Sequence, residues 1–362
     1  MAFQEISVDR LHEAAGRVLI DVRSPKEFHE GTIPGSVNVP LFTDEERAMI
    51  GTVYKQQSPA AARRLAMLTV SPKIPQIVEQ MEALMDRGEL VIFCWRGGMR
   101  SYAACTFMSL LKYPIVRLKG GYRAYRQLVM NELSEYAGIK SRVIVLHGNT
   151  GVGKTRLLAM LKESGHQVLD LERMANHRGS VFGRIGLGEA HNQKTFDAML
   201  WEELRALEHA RPVFLEAESK RIGRAVLPDW LEADKRNGYH VLIEAPLQER
   251  VARLVEDYVL GDEDKMIEQF REALSSIKRR VSRDQSDLFE ELLEAKQYEQ
   301  LCAQLLQNYY DPKYEHKLRT YRTEMLKIDA VDLLQAVGRL ERLADELGTI
   351  NAADALTVSE GV

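Results

Sequence analysis

The sequence is poor in cysteine and contains no long apolar run. Its cysteines, Cys94, Cys105 and Cys302, are too few and too scattered to predict a disulfide framework or a cysteine-ligated zinc site. No run of about 18 apolar residues is present, so no membrane-spanning helix is expected. Residues 1–5 lack the basic and apolar regions of a signal peptide. We therefore expect a protein of the reducing cytoplasm with no membrane partner.

Strong net charge is also missing. The formal net charge is −4, which excludes a uniformly basic nucleic-acid-binding protein but leaves room for a local basic face. The apolar fraction of 45% and the charged fraction of 28% are typical of a globular protein. A chain of 362 residues is longer than one hydrophobic core usually serves, so two domains are expected.

Short apolar segments alternate with helical patterns over most of the sequence, which predicts parallel sheets covered by helices in an α/β fold. The predicted strands are 17–22, 90–93 and 113–118 in a first set, and 142–146, 167–170, 212–216 and 239–244 in a second. A polar stretch separates the two sets. The predicted domains are 1–138 and 139–348, with a helical C-terminal region from about 262 and a frayed tail at 349–362.

The first chemical motif runs from Cys94 to Ser101 and lies between a predicted strand and a helical pattern. A loop in this position presents backbone N–H groups to an anion, and its two glycines allow a tight turn. These groups and two arginines favour the thiolate form of Cys94, which is the nucleophile. The alternative is that Cys94 is a buried structural cysteine. The candidate anion-binding residues are Trp95, Arg96, Gly97, Gly98, Met99, Arg100 and Ser101.

The second motif has the complete Walker A pattern, G-x-x-x-x-G-K-T, between a predicted strand and a helix. Its backbone N–H groups and Lys154 would contact phosphates, and Thr155 could hold Mg²⁺. The candidate phosphate-binding residues are Gly148, Asn149, Thr150, Gly151, Val152, Gly153, Lys154 and Thr155. Glu216 and Glu218 follow a buried strand and are candidate acidic or metal-binding residues, although aspartate is usual at the first position.

Four separated segments resemble a rhodanese domain over about residues 5–130. They are Asp21–Arg23, Glu27–Phe28, Gly31–Pro40 and Leu118–Tyr125. The resemblance implies that Cys94 can carry a persulfide or a perselenide. Five residues separate Cys94 from Arg100, whereas ordinary rhodaneses have four. The longer loop is similar to that of the related dual-specificity phosphatases and would suit a donor that carries a phosphoryl group.

A rhodanese-like domain followed by a P-loop domain containing 177–183 (HRGSVFG) resembles the tRNA 2-selenouridine synthase family. The resemblance implies conversion of wobble 2-thiouridine to 2-selenouridine in tRNAs for Lys, Glu and Gln. The sulfur would first receive a geranyl group from geranyl diphosphate. Selenium from selenophosphate would then replace the S-geranyl group, with Cys94 as the carrier. Selenophosphate synthetase is a candidate partner, and no tightly bound cofactor is expected.

Other residues are candidates for contacts with these substrates. His177, Arg178 and Arg184 lie in a glycine-containing stretch that predicts a substrate loop. Basic residues, some interleaved with tyrosines, are candidates for tRNA contact, with a solvated helix face as the alternative. They are Lys278, Arg279, Arg280, Arg283, Lys317, Arg319 and Arg322. A different interpretation of the whole chain is a P-loop kinase or NTPase regulated by a rhodanese-like or phosphatase-like module.

Overall fold

A computed structural model describes the chain at residues 3–14, 16–139, 142–178, 182, 185, 187–209, 211–258, 263–318 and 325–359. Of these, the side chains of 258, 263–265, 315–318 and 349–359 are not described. The chain divides into two compact units, 1–135 with 197–201, and 136–196 with 202–362. Within the described residues, no helix is long and apolar enough to cross a membrane.

The first unit is built on a parallel sheet of five strands in the order β1-β5-β4-β2-β3. The strands are β1 (Gln4–Ile6), β2 (Arg17–Asp21), β3 (Val37–Asn38), β4 (Glu89–Phe93) and β5 (Ile115–Leu118). The central strand β4 is buried over Leu90–Phe93, as expected for a parallel strand covered on both faces. Because all strands run the same way, their carboxyl ends meet at one edge, where Cys94 follows β4.

Several α-helices of the described range 16–139 accompany this sheet. They are α1 (Pro25–His29), α2 (Asp44–Gln56), α3 (Pro59–Val70), α4 (Ile74–Glu82), α5 (Met99–Leu110) and α6 (Gly121–Glu135). Local sequence explains several of their starts: Thr43 and Ser58 cap α2 and α3 by accepting backbone N–H groups, and prolines stand at the first positions of α1 and α3.

The second unit contains another parallel five-stranded sheet, in the order β12-β11-β6-β8-β7. Its strands are β6 (Val143–His147), β7 (Gln167–Leu169), β8 (Val213–Glu216), β11 (Tyr239–Glu244) and β12 (Leu326–Asp329), and a separate hairpin is formed by β9 (Arg221–Ile222) and β10 (Ala225–Val226). The central strand β6 is buried throughout and leads directly into the Walker A motif.

Helices cover this sheet and form a second apolar cluster towards the C-terminus. They are α7 (Lys154–Glu163), α8 (Leu171–Ala175), α9 (Gln193–Arg205), α10 (Asp229–Asn237), α11 (Leu247–Tyr258), α12 (Glu263–Ile277), α13 (Arg283–Glu294), α14 (Tyr298–Leu305), α15 (Asp311–Leu318) and α16 (Leu333–Ser359). A π-helical turn, Leu306–Tyr310, joins α14 to α15.

The structure confirms the predicted α/β fold and adds one strand to the region expected to be helical. The added strand, β12, pairs in parallel with β11 inside the 262–347 stretch. The strand has only four residues, of which only Ile328 is buried, so the segment is too short to be recognised as a strand. The last helix, α16, continues to Ser359, past the end of the apolar periodicity at Leu347, through the helix-favouring residues Ala352, Ala353 and Ala355.

Candidate functional sites

The Cys94 side chain lies in a loop between β4 and α5. The Gly98 amide donates a hydrogen bond to Cys94 Sγ over 3.2 Å, and Ser101 Oγ lies 3.2 Å from the same sulfur. Gly98 is also the N-cap of α5, so the thiol lies at the N-terminus of a 12-residue helix. Cys94 is almost completely buried, with 2% of its surface exposed. The loop therefore places the Gly98 amide as a donor on the sulfur, at a helix N-terminus that favours an anion.

A second loop from the rhodanese-like segment 118–125 supports the Cys94 loop. The Tyr122 and Arg123 amides donate to the carbonyl oxygens of Cys94 and Trp95 over 2.9 and 2.8 Å. Gly121 has a φ of +59°, and a Cβ at this position would overlap the Cys94 carbonyl oxygen. The close contact between the loops explains why glycine is needed at this position.

Replacing Gly121 with alanine is expected to destabilise the protein by roughly 2–4 kcal/mol, because left-handed backbone strain adds to the overlap. Gly98→Ala is the matched control, since Gly98 has a negative φ and open space at the Cβ position. Urea denaturation would measure both variants. Equal free energies of unfolding for the two would contradict this account.

The predicted loop arginines differ in their surroundings. Arg96 is exposed, as are Trp95 and Met99. Arg100 instead forms two hydrogen bonds with the Glu27 carboxylate, at 2.5 and 3.1 Å. Burial alone would raise the pKa of Glu27, but the pairing with Arg100 lowers this pKa below its ordinary value. The charge of Arg100 is thus neutralised by Glu27, a partner 73 residues away that the sequence pattern did not reveal.

Asp21 and Arg23 form a buried ion pair beneath the Cys94 loop. Arg23 Nη2 lies 2.6 Å from Asp21 Oδ2 and donates to the Gly31 carbonyl over 2.7 Å. The guanidinium carbon lies 4.3 Å from the centre of the Tyr122 ring. Because both charged groups are occupied within the fold, this pair is suited to brace the loop rather than to react.

The remaining cysteines lie in apolar cores. Cys105 is fully buried on α5, and Cys302 is 3% exposed on α14. Burial raises the pKa of each thiol to about 12. Both therefore stay protonated near neutral pH, so neither is a candidate nucleophile.

The Walker A loop connects β6 to α7 in the second unit. Gly148, Gly151 and Gly153 all have positive φ, which lets the backbone curve as a phosphate-binding loop does. Lys154 Nζ donates to the Gly148 carbonyl over 2.7 Å, so the ammonium lies across the loop. Thr155 Oγ1 donates to Glu172 over 3.2 Å, and Val152 is buried in the core.

Two arginines from α11 hold this loop in place. Arg250 donates to the Thr150 carbonyl over 2.9 Å and binds both carboxylate oxygens of Asp311, which in turn accepts from Asn149. Arg253 donates to the Val152 carbonyl and to the Ala330 carbonyl just after β12, over 2.8 and 2.6 Å. The loop is therefore fastened to segments far away in sequence.

A cavity of about 320 Å³ opens over the Walker A loop. This volume is at the lower end of the range for small-molecule sites. Cations and tyrosines share its wall, and Glu172, Glu218 and Asp257 add carboxylates. The cationic and aromatic lining residues are Lys154, Arg156, Arg178, Arg253, Arg280, Lys313, Tyr309, Tyr310 and Tyr314. The cavity is suited to a phosphorylated ligand with an apolar or aromatic part.

The acidic residues near the Walker A loop differ from the predicted pair. Glu218 lines the cavity, whereas Glu216 is fully buried, accepts the Leu171 amide and has no partner for Oε1. Burial and neighbouring carboxylates raise the pKa of Glu216 well above its ordinary value. Among the described residues, no group of three His, Cys, Asp or Glu side chains could hold a metal ion.

Glu172 is a cavity residue that sequence reasoning missed. Burial and then Glu218 raise its pKa to about 8. The unfolded chain has the ordinary value of 4.5, so the folded state binds more protons between pH 4.5 and 8 and loses stability as pH rises through this window.

Glu172→Gln should remove the contribution of the Glu172 carboxyl to the pH dependence of stability. The free energy of unfolding of the variant, measured with urea between pH 5 and 9, is expected to fall less than that of the parent protein up to about pH 8. Glu299→Gln, at an exposed position of α14, should leave the pH dependence unchanged. Parallel curves for Glu172→Gln and the parent would show that this carboxyl is not the cause.

The candidate tRNA-contact residues fall into two groups. Lys278, Arg279, Arg280 and Arg283 are exposed at the turn between α12 and α13, and Arg280 also lines the cavity. Arg319, Arg322 and the side chain of Lys317 lie outside the described residues, as does Arg184 of the predicted substrate loop. Tyr309 is only 3% exposed beneath Lys313, so it forms cavity wall rather than a surface for stacking bases.

The predicted substrate loop is described in part. Arg178 lines the cavity and donates to the Ile185 carbonyl over 2.7 Å. His177 contacts Gly223 at the β9–β10 hairpin, where a Cβ would come within 3.2 Å of the imidazole ring. Phe182 is buried, with its ring centre 5.8 Å from that of Phe270.

The fold and the two loops define a protein that joins a rhodanese-like domain to a P-loop domain. A rhodanese-like family model matches residues 7–128, and the model of the tRNA 2-selenouridine synthase AAA domain matches residues 141–339. The chain belongs to the tRNA 2-selenouridine synthase family.

Curated relatives agree with this assignment. The chain is 35% identical to a tRNA 2-selenouridine synthase of Nitrosomonas europaea, across 71% of this chain and 67% of the relative. It is 32% identical to that of Sulfurovum sp., across 85% and 90%. The enzyme of Hahella chejuensis is 33% identical, across 84% and 86%.

Proposed function

We propose that this protein is a transferase that converts wobble 2-thiouridine of tRNA to 2-selenouridine in two steps. The main support is that one chain of this family combines a cysteine in an anion-binding loop with a phosphate-binding cavity. We assign selenation to the first site and geranylation to the second. The substrates would be the tRNAs for Lys, Glu and Gln, as the resemblance implies.

In the first step, C1 of geranyl diphosphate bonds to the sulfur at C2 of the base. The C1–oxygen bond breaks, diphosphate leaves with the electron pair, and the base loses its N3 proton to solvent. Lys154 and the Walker A amides would stabilise the charge on the departing diphosphate. The Lys154 ammonium already lies across the loop, 2.7 Å from the Gly148 carbonyl.

In the second step, selenium bonds to C2 while the C2–sulfur bond breaks. Sulfur leaves with the geranyl group as a thiol, and the phosphoryl group of selenophosphate ends on water as phosphate. Cys94 would deliver the selenium: its thiolate bonds to the phosphorus of selenophosphate while the phosphorus–selenium bond breaks, which frees selenide beside the loop, and water then hydrolyses the S-phosphate to phosphate and restores the thiolate. The Gly98 amide and the Ser101 hydroxyl, each 3.2 Å from Sγ, would stabilise negative charge on the sulfur. Sulfur attached to an alkyl group is a better leaving group than a thiocarbonyl, which is why geranylation precedes selenation.

The exposed turn at Lys278–Arg280 is the described surface that best suits tRNA phosphates. Arg280 belongs both to this turn and to the cavity wall, so a tRNA bound here would reach the geranyl donor. Selenophosphate would arrive free or from its synthetase. Three free cysteines suit a reducing cytoplasm.

Mass analysis of tRNA nucleosides tests this function. Purified full-length protein would be incubated with 2-thiouridine tRNA and geranyl diphosphate, with and without selenophosphate. We expect S-geranyl-2-thiouridine without selenophosphate and 2-selenouridine with it. ATP hydrolysis or phosphate transfer that needs no tRNA, with no change in the nucleosides, would instead support the kinase or NTPase interpretation.

A further inference from the structure

A narrow apolar slot adjoins the Walker A cavity in the second unit. Thr150, Leu254 and Tyr310 line both spaces, so the slot begins beside the phosphate-binding loop. Its volume is about 10 Å³, which is room for one group of about the size of a methyl or a water molecule.

The inner end of the slot is closed by core side chains. Phe182, Phe270 and Leu306 line it and are at most 1% exposed. The Phe182 ring centre lies 5.8 Å from that of Phe270 and 6.0 Å from that of Tyr310. Phe182, Phe270 and Leu306 belong to the apolar cluster towards the C-terminus of this unit. A longer ligand could therefore enter only by displacing core residues.

The polar atoms near the slot are already bonded within the fold. The Thr150 carbonyl accepts from Arg250 Nε over 2.9 Å, and the Tyr310 hydroxyl accepts from the Phe182 amide over 3.4 Å. A water molecule in the slot would thus find few partners, whereas an apolar group would gain by leaving water. The edge of a nucleobase would likewise find few hydrogen bonds there.

We propose that this slot receives the terminal methyl end of the isoprenoid chain whose diphosphate lies on the Walker A loop, and that Phe270, as part of the slot wall, limits the length of that chain. This inference rests on the proposed geranyl diphosphate site. The rest of the chain lies along Leu254 and Tyr310, which connect the two spaces. Phe270 is therefore a specificity-determining residue.

Binding of three probes to the full-length protein tests the slot: inorganic pyrophosphate, geranyl diphosphate and farnesyl diphosphate. Calorimetry on the parent protein should show geranyl diphosphate bound about tenfold more tightly than either of the others, because pyrophosphate lacks the chain and the farnesyl chain is too long. Phe270→Leu should raise the affinity for farnesyl relative to geranyl diphosphate about tenfold.

Phe289→Leu is the matched control, because Phe289 is equally buried in the same apolar cluster but does not line the slot. It should leave the ratio of the two affinities unchanged. If Phe270→Leu does not fold, Leu305→Ala removes a different slot residue and should shift the ratio in the same direction. Equal shifts in the slot variants and the control would overturn the inference.

The outcomes also distinguish a failure of the proposed slot from a failure of the proposed geranyl diphosphate site. If pyrophosphate and geranyl diphosphate bind equally and Lys154→Ala weakens both, the Walker A diphosphate site stands and the slot inference fails. If no diphosphate binds, or Lys154→Ala changes nothing, the proposed geranyl diphosphate site itself is wrong and the slot inference falls with it.

Discussion

Cys94→Ala is expected to stop selenation while geranylation of the same tRNA continues. The thiol is the strongest nucleophile of the anion-binding loop, with the Gly98 amide donating to its sulfur and the Ser101 hydroxyl 3.2 Å away. Removing it should lower the rate of 2-selenouridine formation by about 10³-fold or more, because this chemical step loses its reacting group. S-geranyl-2-thiouridine should then accumulate.

Cys105→Ala provides the matched control. Cys105 belongs to the same unit, yet it is fully buried on α5, and its pKa of about 12 keeps the thiol protonated. Its removal should leave both products at normal levels. Nucleoside mass spectrometry after a timed reaction measures both variants. Normal selenation by Cys94→Ala, or equal losses in the two variants, would exclude a direct role of Cys94 in selenation.

Lys154→Ala should produce the opposite pattern. Loss of the ammonium over the Walker A loop removes charge stabilisation from the departing diphosphate, and geranylation should fall about 10²–10³-fold. If tRNA is supplied already geranylated, selenation by this variant should proceed at the normal rate. That second measurement separates a lost chemical step from a misfolded protein.

Lys162→Ala is the control on the same helix, α7. Lys162 is exposed and pairs with Glu203 at 3.1 Å, so its loss should change neither step. Unimpaired geranylation by Lys154→Ala would mean that the diphosphate binds elsewhere. Loss of selenation from pre-geranylated tRNA would mean that the two steps do not divide between the loops as proposed.

Much of both sites could be predicted because their motifs are local. The Cys94 loop and the Walker A loop each lie within eight residues after a buried strand, and glycines mark where the backbone must curve. The parts that escaped prediction depend on distant pairings. Glu27 neutralises Arg100 from 73 residues away. Glu172 looks like an ordinary first-turn acid of α8 until the fold brings it to Thr155.

The fold was predictable where the sequence signal is local, and its prediction failed where a strand depends on distant pairing. Strands with continuous apolar residues, such as β4 and β6, were evident because both of their faces are covered. The edge strand β12 was not evident, since a segment of four residues is too short to carry a clear periodic signal. Its position follows from pairing with β11 rather than from its own sequence.

The contacts of Arg253 have a consequence for fragments of the protein. This arginine ties the Val152 carbonyl of the Walker A loop to the Ala330 carbonyl that follows β12. A fragment that stops before β12 would keep every residue of the Walker A motif. It would nevertheless expose the edge of β11 and leave Arg253 without its partner beyond β12. The smallest piece that preserves the phosphate-binding loop therefore has to extend well beyond the motif that identifies it.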